Sequence, residues 1–321
     1  MGEERLPALD AQLKGYDPAA WRAALGALSG GIHRVDREAT LIWFSFFPLE
    51  LHQAFEAAED PEALTRKLRL MGNWRLVSQI DSSHRFLYGH RFWPQVKMAI
   101  TNIEDPPADL GALINHVADA AGRRARVDRD RLLGIVAVGL MTLRQAGAEA
   151  FAAAPGTVHL TDRARNRTTN QTLQRRAKDD SQGPFGFLRG LKKIWTVTFD
   201  ESADEAAFKV IAGQEIATGA QSDKREYRSK DARCIPGEGP IPVECRAASC
   251  GTCWVGVIAG AEKLSPVDTE ERRRMKIFGY IDSTDPTPLI RLACQAQTTG
   301  AVTLVIPPWN GFVGKITGTD R

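Results

Sequence analysis

Residues 245–253 read Cys-Arg-Ala-Ala-Ser-Cys-Gly-Thr-Cys, three cysteines spaced C-x4-C-x2-C, and a fourth, Cys294, follows 41 positions after Cys253 within Arg291-Leu-Ala-Cys-Gln295. This is the spacing of thiolates around a cluster of two irons and two sulfides. The irons are tetrahedral and share the sulfides, so four thiolates are needed. One wrapping loop can supply three, and the fourth must come from elsewhere in the fold. Ala247, Ala248, Ser249, Gly251 and Thr252 between the cysteines are small, which lets backbone N–H groups approach the sulfurs and stabilise the charge added on reduction. Zinc competes for such cysteines, but zinc sites usually pair two C-x2-C knuckles and this chain has only one. The candidate ligands are Cys245, Cys250, Cys253 and Cys294. Cys234, eleven positions before Cys245, reads as an ordinary unliganded thiol.

The sequence around this loop alternates with the period of strands. Ile194-Trp-Thr-Val-Thr-Phe199 and Phe208-Lys-Val-Ile211 predict a hairpin, Cys253–Val257 and Val302–Ile306 predict two further strands, and Thr269–Tyr280 predicts a helix between them. With the loop, the run WVGVIAGAEKLSP at 254–266, RLACQ and VTLVIPP at 302–308, residues 192–321 resemble the plant-type (β-grasp) 2Fe-2S ferredoxin family. The resemblance implies an α+β β-grasp ferredoxin-like domain that carries one electron at a time on a 2Fe-2S cluster. It also implies Cys245 with Cys250 on an outer iron and Cys253 with Cys294 on an inner one. Two departures stand out: a longer stretch between Gly213 and Cys245, and an added turn at Thr284–Pro288. Trp254, directly after Cys253, either shields the cluster from water or simply packs in its strand.

A chain of 321 residues suits two domains rather than one core. Residues 1–160 carry helix punctuation. Asp17-Pro18 and Asp60-Pro61 place a capping carboxylate before a proline suited to the first helical position, and Gly30-Gly31 stops the first run. Leu132–Leu143 lies in an apolar run from Arg131 to Phe151 whose length predicts a buried helix, although Gly134 and Gly139 work against helix formation. The fold class expected is therefore two-domain, a mostly α-helical N-terminal domain of unknown role (1–160), then a basic polar linker (161–191) and the ferredoxin domain (192–321). Thr161–Lys193 holds nine Lys or Arg against three Asp, which reads as an exposed, solvated tether. Without interleaved aromatics it does not call for nucleic acid.

The N-terminal histidines His33, His52, His84, His90 and His116 form no H-x3-H, E-x2-H or C-x2-C-H motif. His84 and His90 are six positions apart. On one helix they would point about 120° from each other and could not share an ion. Haem ligation across the fold is the remaining metal reading for this half. The aromatics of Leu41–Phe55 and Phe86–Trp93 read as core, with a docking face as the alternative.

The first residues carry no apolar stretch behind basic residues and no small-residue cleavage site, so no secretory signal is read and a cytoplasmic location is expected. The longest apolar runs fall short of the roughly 20 residues that span a bilayer, leaving peripheral contact as the only membrane role. The helical half shows no G-x-G-x-x-G, P-loop or recognisable flavin or nicotinamide signature, which argues against a self-contained reductase. The expected function is one-electron transfer as a non-catalytic subunit or dedicated partner of a larger redox enzyme complex. The alternative is a redox sensor whose cluster state controls binding by the helical domain. Residues 192–321 hold 17 Lys or Arg and 17 Asp or Glu. A neutral carrier lacks long-range steering to its partner, which favours a standing association aided by a tether.

Overall fold

Asp17 and Asp60 both act as the sequence predicts: their carboxylates accept the N–H groups of Ala20 at 2.7 Å and Ala63 at 2.9 Å, each opening a helix with proline at its first position. The computed structural model describes residues 4–178, 193–203, 205–280 and 287–317. In chain order the first helices are α1 (Arg5–Lys14), α2 (Pro18–Leu28), α3 (Arg37–Phe46), α4 (Leu49–Glu56) and α5 (Pro61–Lys67). They are followed by α6 (Trp93–Thr101), α7 (Leu110–Ala125), α8 (Leu133–Ala146), α9 (Ala148–Ala153), α10 (Asp162–Asn166) and α11 (Thr169–Ala177). The chain forms two compact units, Met1–His52 with Arg75–Thr169, and Gln53–Trp74 with Asn170–Arg321.

The first unit is helical and centres on α8, whose residues are buried from Leu133 to Arg144. Its glycines, unfavourable for an isolated helix, are explained by packing. A Cβ at Gly134 would lie 2.3 Å from Thr40 Oγ1, and one at Gly139 would lie 2.8 Å from Ile100 Cδ1. Close helix approach outweighs the cost of about 1 kcal/mol per glycine.

The single-helix geometry assumed for His84 and His90 is not what forms. His84 lies in a turn and His90 in the 3-10 turn Tyr88–Phe92. Buried Asp36 pins that turn by accepting the Tyr88 and Gly89 N–H groups at 2.6 and 2.7 Å. The two rings therefore meet, Nδ1 to Nδ1, at 2.9 Å, with Trp93 4.2 Å from the His84 ring. Among the described residues no three His, Cys, Asp or Glu side chains are grouped as they would be around a single metal ion.

Burial pushes the His84 pKa well below its ordinary value, reinforced by His90. Burial lowers His90 to about 4, with Arg85, His159 and Arg91 adding to the effect and Asp81 opposing it. Both rings are thus neutral when folded, whereas the unfolded chain binds their protons below about pH 6.5. Their contribution is fully present above that pH and is lost as pH falls toward 4, at up to about 1.4 kcal/mol per histidine per pH unit. Thermal unfolding of the full chain between pH 7.5 and 5.5 should therefore show a steeper loss of stability than in His90→Asn. Equal slopes would contradict this account.

The second unit contains a five-stranded mixed sheet. With β1 (Met71–Gly72), the strands are β2 (Ile194–Thr198), β3 (Ala207–Ile211), β4 (Trp254–Ala259), β5 (Ile290–Leu292), β6 (Val302–Val305) and β7 (Trp309–Asn310). The large sheet runs β3-β2-β6-β4-β5, with β2 and β6 parallel and the other pairs antiparallel. Helices α12 (Ile216–Ala220), α13 (Thr269–Phe278) and α14 (Gly314–Thr317) follow in the same unit. This is the expected α+β, β-grasp layout. Strand β2 is buried at Trp195 and Val197 and half-buried between them, as its period-two pattern requires.

Two boundaries differ from the sequence expectation. Residues 53–74, assigned to the helical domain, belong to the second unit. The basic stretch begins not as a solvated tether but as α10 and α11, with Thr172 and Arg176 buried. Arg176 makes a bidentate pair with Glu201, Nη2 to Oε2 at 2.5 Å and Nε to Oε1 at 3.0 Å, so composition misleads there. The remainder of the expected linker, 179–191, and positions 284–286 of the added turn lie outside the described residues. Among the described residues no helix is long and apolar enough to cross a membrane.

Candidate metal centre

Cys253 ends its loop directly before β4, and Cys294 lies two residues after β5. The antiparallel register places Trp254 opposite Leu292, and Ala293 N–H donates to the Cys253 carbonyl at 2.9 Å. One ladder thus closes the 41-residue interval between the two cysteines. The thiols of Cys253 and Cys294 are close enough to influence each other's ionisation, as are those of Cys245 and Cys250. Cys253 and Cys294 are buried, Cys245 and Cys250 half-buried.

The loop carrying the first three cysteines is turned by left-handed backbone at Arg246 (φ 54°), Ala248 (φ 58°) and Gly251 (φ 70°). At non-glycine positions such a conformation costs about 1–3 kcal/mol, and it concentrates at functional sites. Here it turns N–H groups toward sulfur: Ala247 N–H donates to Cys245 Sγ at 3.4 Å, and the Ala248 N–H is near enough to the Cys294 sulfur to favour its anion. Gln295 Nε2 adds a donor to Cys294 Sγ at 3.4 Å. Gly251 is favoured by its φ, and a Cβ there would crowd the Phe278 ring at 3.0 Å.

The ionisation of the thiols follows these contacts. The neighbouring Cys253 thiol brings Cys294 down to about 6 against the opposing effect of burial, with help from Gln295 and the Ala248 N–H. Burial pushes Cys245 up, but donors from Ser249, Ala247 and Cys250 outweigh it and bring the thiol to about 7. Their partners move the other way, Cys253 chiefly through its nearness to Cys294 and Cys250 chiefly through burial. In each pair one thiol is thus shifted toward its anion and its partner away from it. Paired thiols surrounded by N–H donors fit a two-iron cluster, in which each metal takes two thiolates, better than one tetrahedral ion drawing on all four.

Cys234 is apart from this arrangement. It is buried, its thiol donates to the Pro240 carbonyl at 3.4 Å, and burial raises its pKa to about 11. The long stretch before Cys245 is laced to its own unit. Asp223 accepts from Arg225 Nε at 2.8 Å and Tyr227 OH at 2.6 Å, while Arg233 pairs with Asp231 and reaches the Pro307 carbonyl at 2.5 Å.

Residues that sequence reasoning missed stand behind the cysteines. Buried Glu271 of α13 accepts from Arg291 Nε at 2.9 Å and Nη2 at 2.8 Å and from Leu292 N–H at 3.0 Å. Arg291 Nη1 also donates to the Ser265 carbonyl at 2.9 Å. Helix α13 thereby fixes β5, which delivers Cys294. The run Glu270-Glu-Arg-Arg-Arg274 reads locally as a solvated helix face, and only the burial of Glu271 reveals its role. Trp254 is buried and packs 4.0 Å from Tyr280 and 5.3 Å from Trp309, centroid to centroid.

Comparison with known proteins agrees with this geometry. Residues 224–299 match the family of 2Fe-2S iron-sulfur cluster binding domains. No curated protein and no solved structure matches the chain. The C-terminal unit of this protein thus contains a ferredoxin-type 2Fe-2S iron-sulfur cluster binding domain, able to transfer electrons.

Proposed function

We propose that this protein is a one-electron carrier whose 2Fe-2S cluster is held by Cys245, Cys250, Cys253 and Cys294. It would serve in the cytoplasm as a subunit or dedicated partner of a larger redox enzyme complex. The observation that supports the ligand assignment is the closeness of the four thiols, two and two, with Cys253 and Cys294 brought together at the end of the β4–β5 ladder. The cluster supplies a site that takes up and releases an electron. The chain's own part is to hold the thiolates, offer N–H donors that favour the added charge, and bury the Cys253 and Cys294 side. The half-buried Cys245 and Cys250 side is the natural face for electron exchange. The balanced charge of residues 192–321 supports a standing partner over long-range capture.

Affinity purification of the full chain from its native cells, in oxidised and dithionite-reduced forms, tests the partner assignment. A redox enzyme should co-purify in both states. A partner set that switches on reduction, with no redox enzyme among it, would replace this reading with that of a redox sensor.

A further inference from the structure

We infer that residues 68–73, contributed by the N-terminal half of the sequence, are a positioning element for the cluster loop and help set the reduction potential of the cluster. The inference rests on the ligand assignment above. Strand β1 pairs with β7, Met71 opposite Asn310 and Gly72 opposite Trp309. Asn73 N–H donates to the Pro308 carbonyl at 2.8 Å and Phe312 N–H to the Leu68 carbonyl at 2.8 Å. The fit is tight: a Cβ at Gly72, whose φ is 84°, would lie 2.4 Å from the Pro308 carbonyl oxygen, and one at Gly311 would lie 2.3 Å from Leu70 Cδ2.

From this seam two aromatic relays run to the loop. Trp309, fully buried, meets Trp254 edge-on at 5.3 Å, and Trp254 directly follows Cys253. Phe312 meets Phe278 at 5.1 Å, and the Phe278 ring closes over Gly251. Residues 68–73 therefore act through other side chains: they hold β7 and Phe312 in place, and those hold the wall behind Cys253. Reduction adds a negative charge to the cluster. A dry wall disfavours that charge and lowers the potential, whereas water admitted near the sulfurs raises it.

The test uses the full chain with Gly72→Val, which wedges the seam, Leu70→Ala, which loosens it more mildly, and the pair Trp309→Ala and Trp309→Phe. Redox titration followed by electron paramagnetic resonance should show the midpoint potential rising in Gly72→Val, Leu70→Ala and Trp309→Ala. Bleaching of the cluster by an iron chelator should accelerate several-fold in the same variants, and Trp309→Phe should restore most of both properties. Leu70→Ala keeps the test decisive if Gly72→Val does not fold. Variants that carry full iron and show an unchanged potential would overturn the inference while leaving the ligand assignment intact. A wild-type chain without a 2Fe-2S signal would overturn the ligand assignment, and the inference with it.

Discussion

Glu271→Ala is expected to destabilise the second unit by about 3–5 kcal/mol, because it leaves the Arg291 guanidinium as a buried charge without its counterion. Both partners are almost fully buried, with side-chain exposures of 1% for Glu271 and 3% for Arg291, so solvent screening gives little relief. The same substitution removes the acceptor for Leu292 N–H, freeing the end of β5 from which Cys294 projects. Thermal denaturation should show the lower midpoint, and iron content on purification should fall with it. Replacing the pair together, Glu271→Leu with Arg291→Met, should recover much of the stability, since an apolar pair of similar volume leaves no buried charge. It should not recover full iron occupancy, because the Leu292 N–H still lacks its acceptor. A single Glu271→Ala variant with wild-type stability and iron content would refute this role.

The second large effect belongs to the fourth proposed ligand. Cys294→Ser replaces a thiol already held near the anionic form by Cys253, Gln295 and the Ala248 N–H with a hydroxyl that stays protonated at neutral pH. The 2Fe-2S absorption and the reduced-state paramagnetic signal should be lost or strongly altered. Cys234→Ser should leave both intact, because that thiol faces the Pro240 carbonyl and a serine hydroxyl can make the same donation. An unchanged spectrum in Cys294→Ser would remove Cys294 from the ligand set.

The features legible in sequence were those with a local cause. The C-x4-C-x2-C spacing, the alternation in β2 and β3, the apolar runs of β4 and β6, and the caps at Asp17 and Asp60 each depend on neighbouring residues. Helix α13 ends at Phe278, two residues short of the expected Tyr280, because Gly279 caps it with a left-handed φ of 88°. What stayed hidden depends on partners far along the chain. Strands β1 and β7 are two residues each and β5 three, too short to show a period, so nothing marked residues 53–74 as part of the second unit. Glu271 and Arg176 look solvated by composition and are buried by pairing with Arg291 and Glu201. His84 and His90 meet because the backbone between them turns, and helical spacing gave the wrong geometry.

These hidden contacts share a consequence. The cysteine loop is specified locally, but its setting is not: α13 fixes Cys294 through Glu271, and residues 68–73 back the aromatic wall behind Cys253. A fragment beginning at residue 192 would keep all four candidate ligands and lose β1 together with its pairing to β7. The full chain is therefore the proper material for any test of the cluster.

The most direct test is iron and sulfide analysis of the purified full chain together with electron paramagnetic resonance after reduction. The account predicts two irons and two sulfides per chain and a signal from one unpaired electron per cluster, abolished or altered when Cys245, Cys250, Cys253 or Cys294 is changed to serine. Zinc in place of iron, or a full signal that survives the loss of any of these four cysteines, would contradict it.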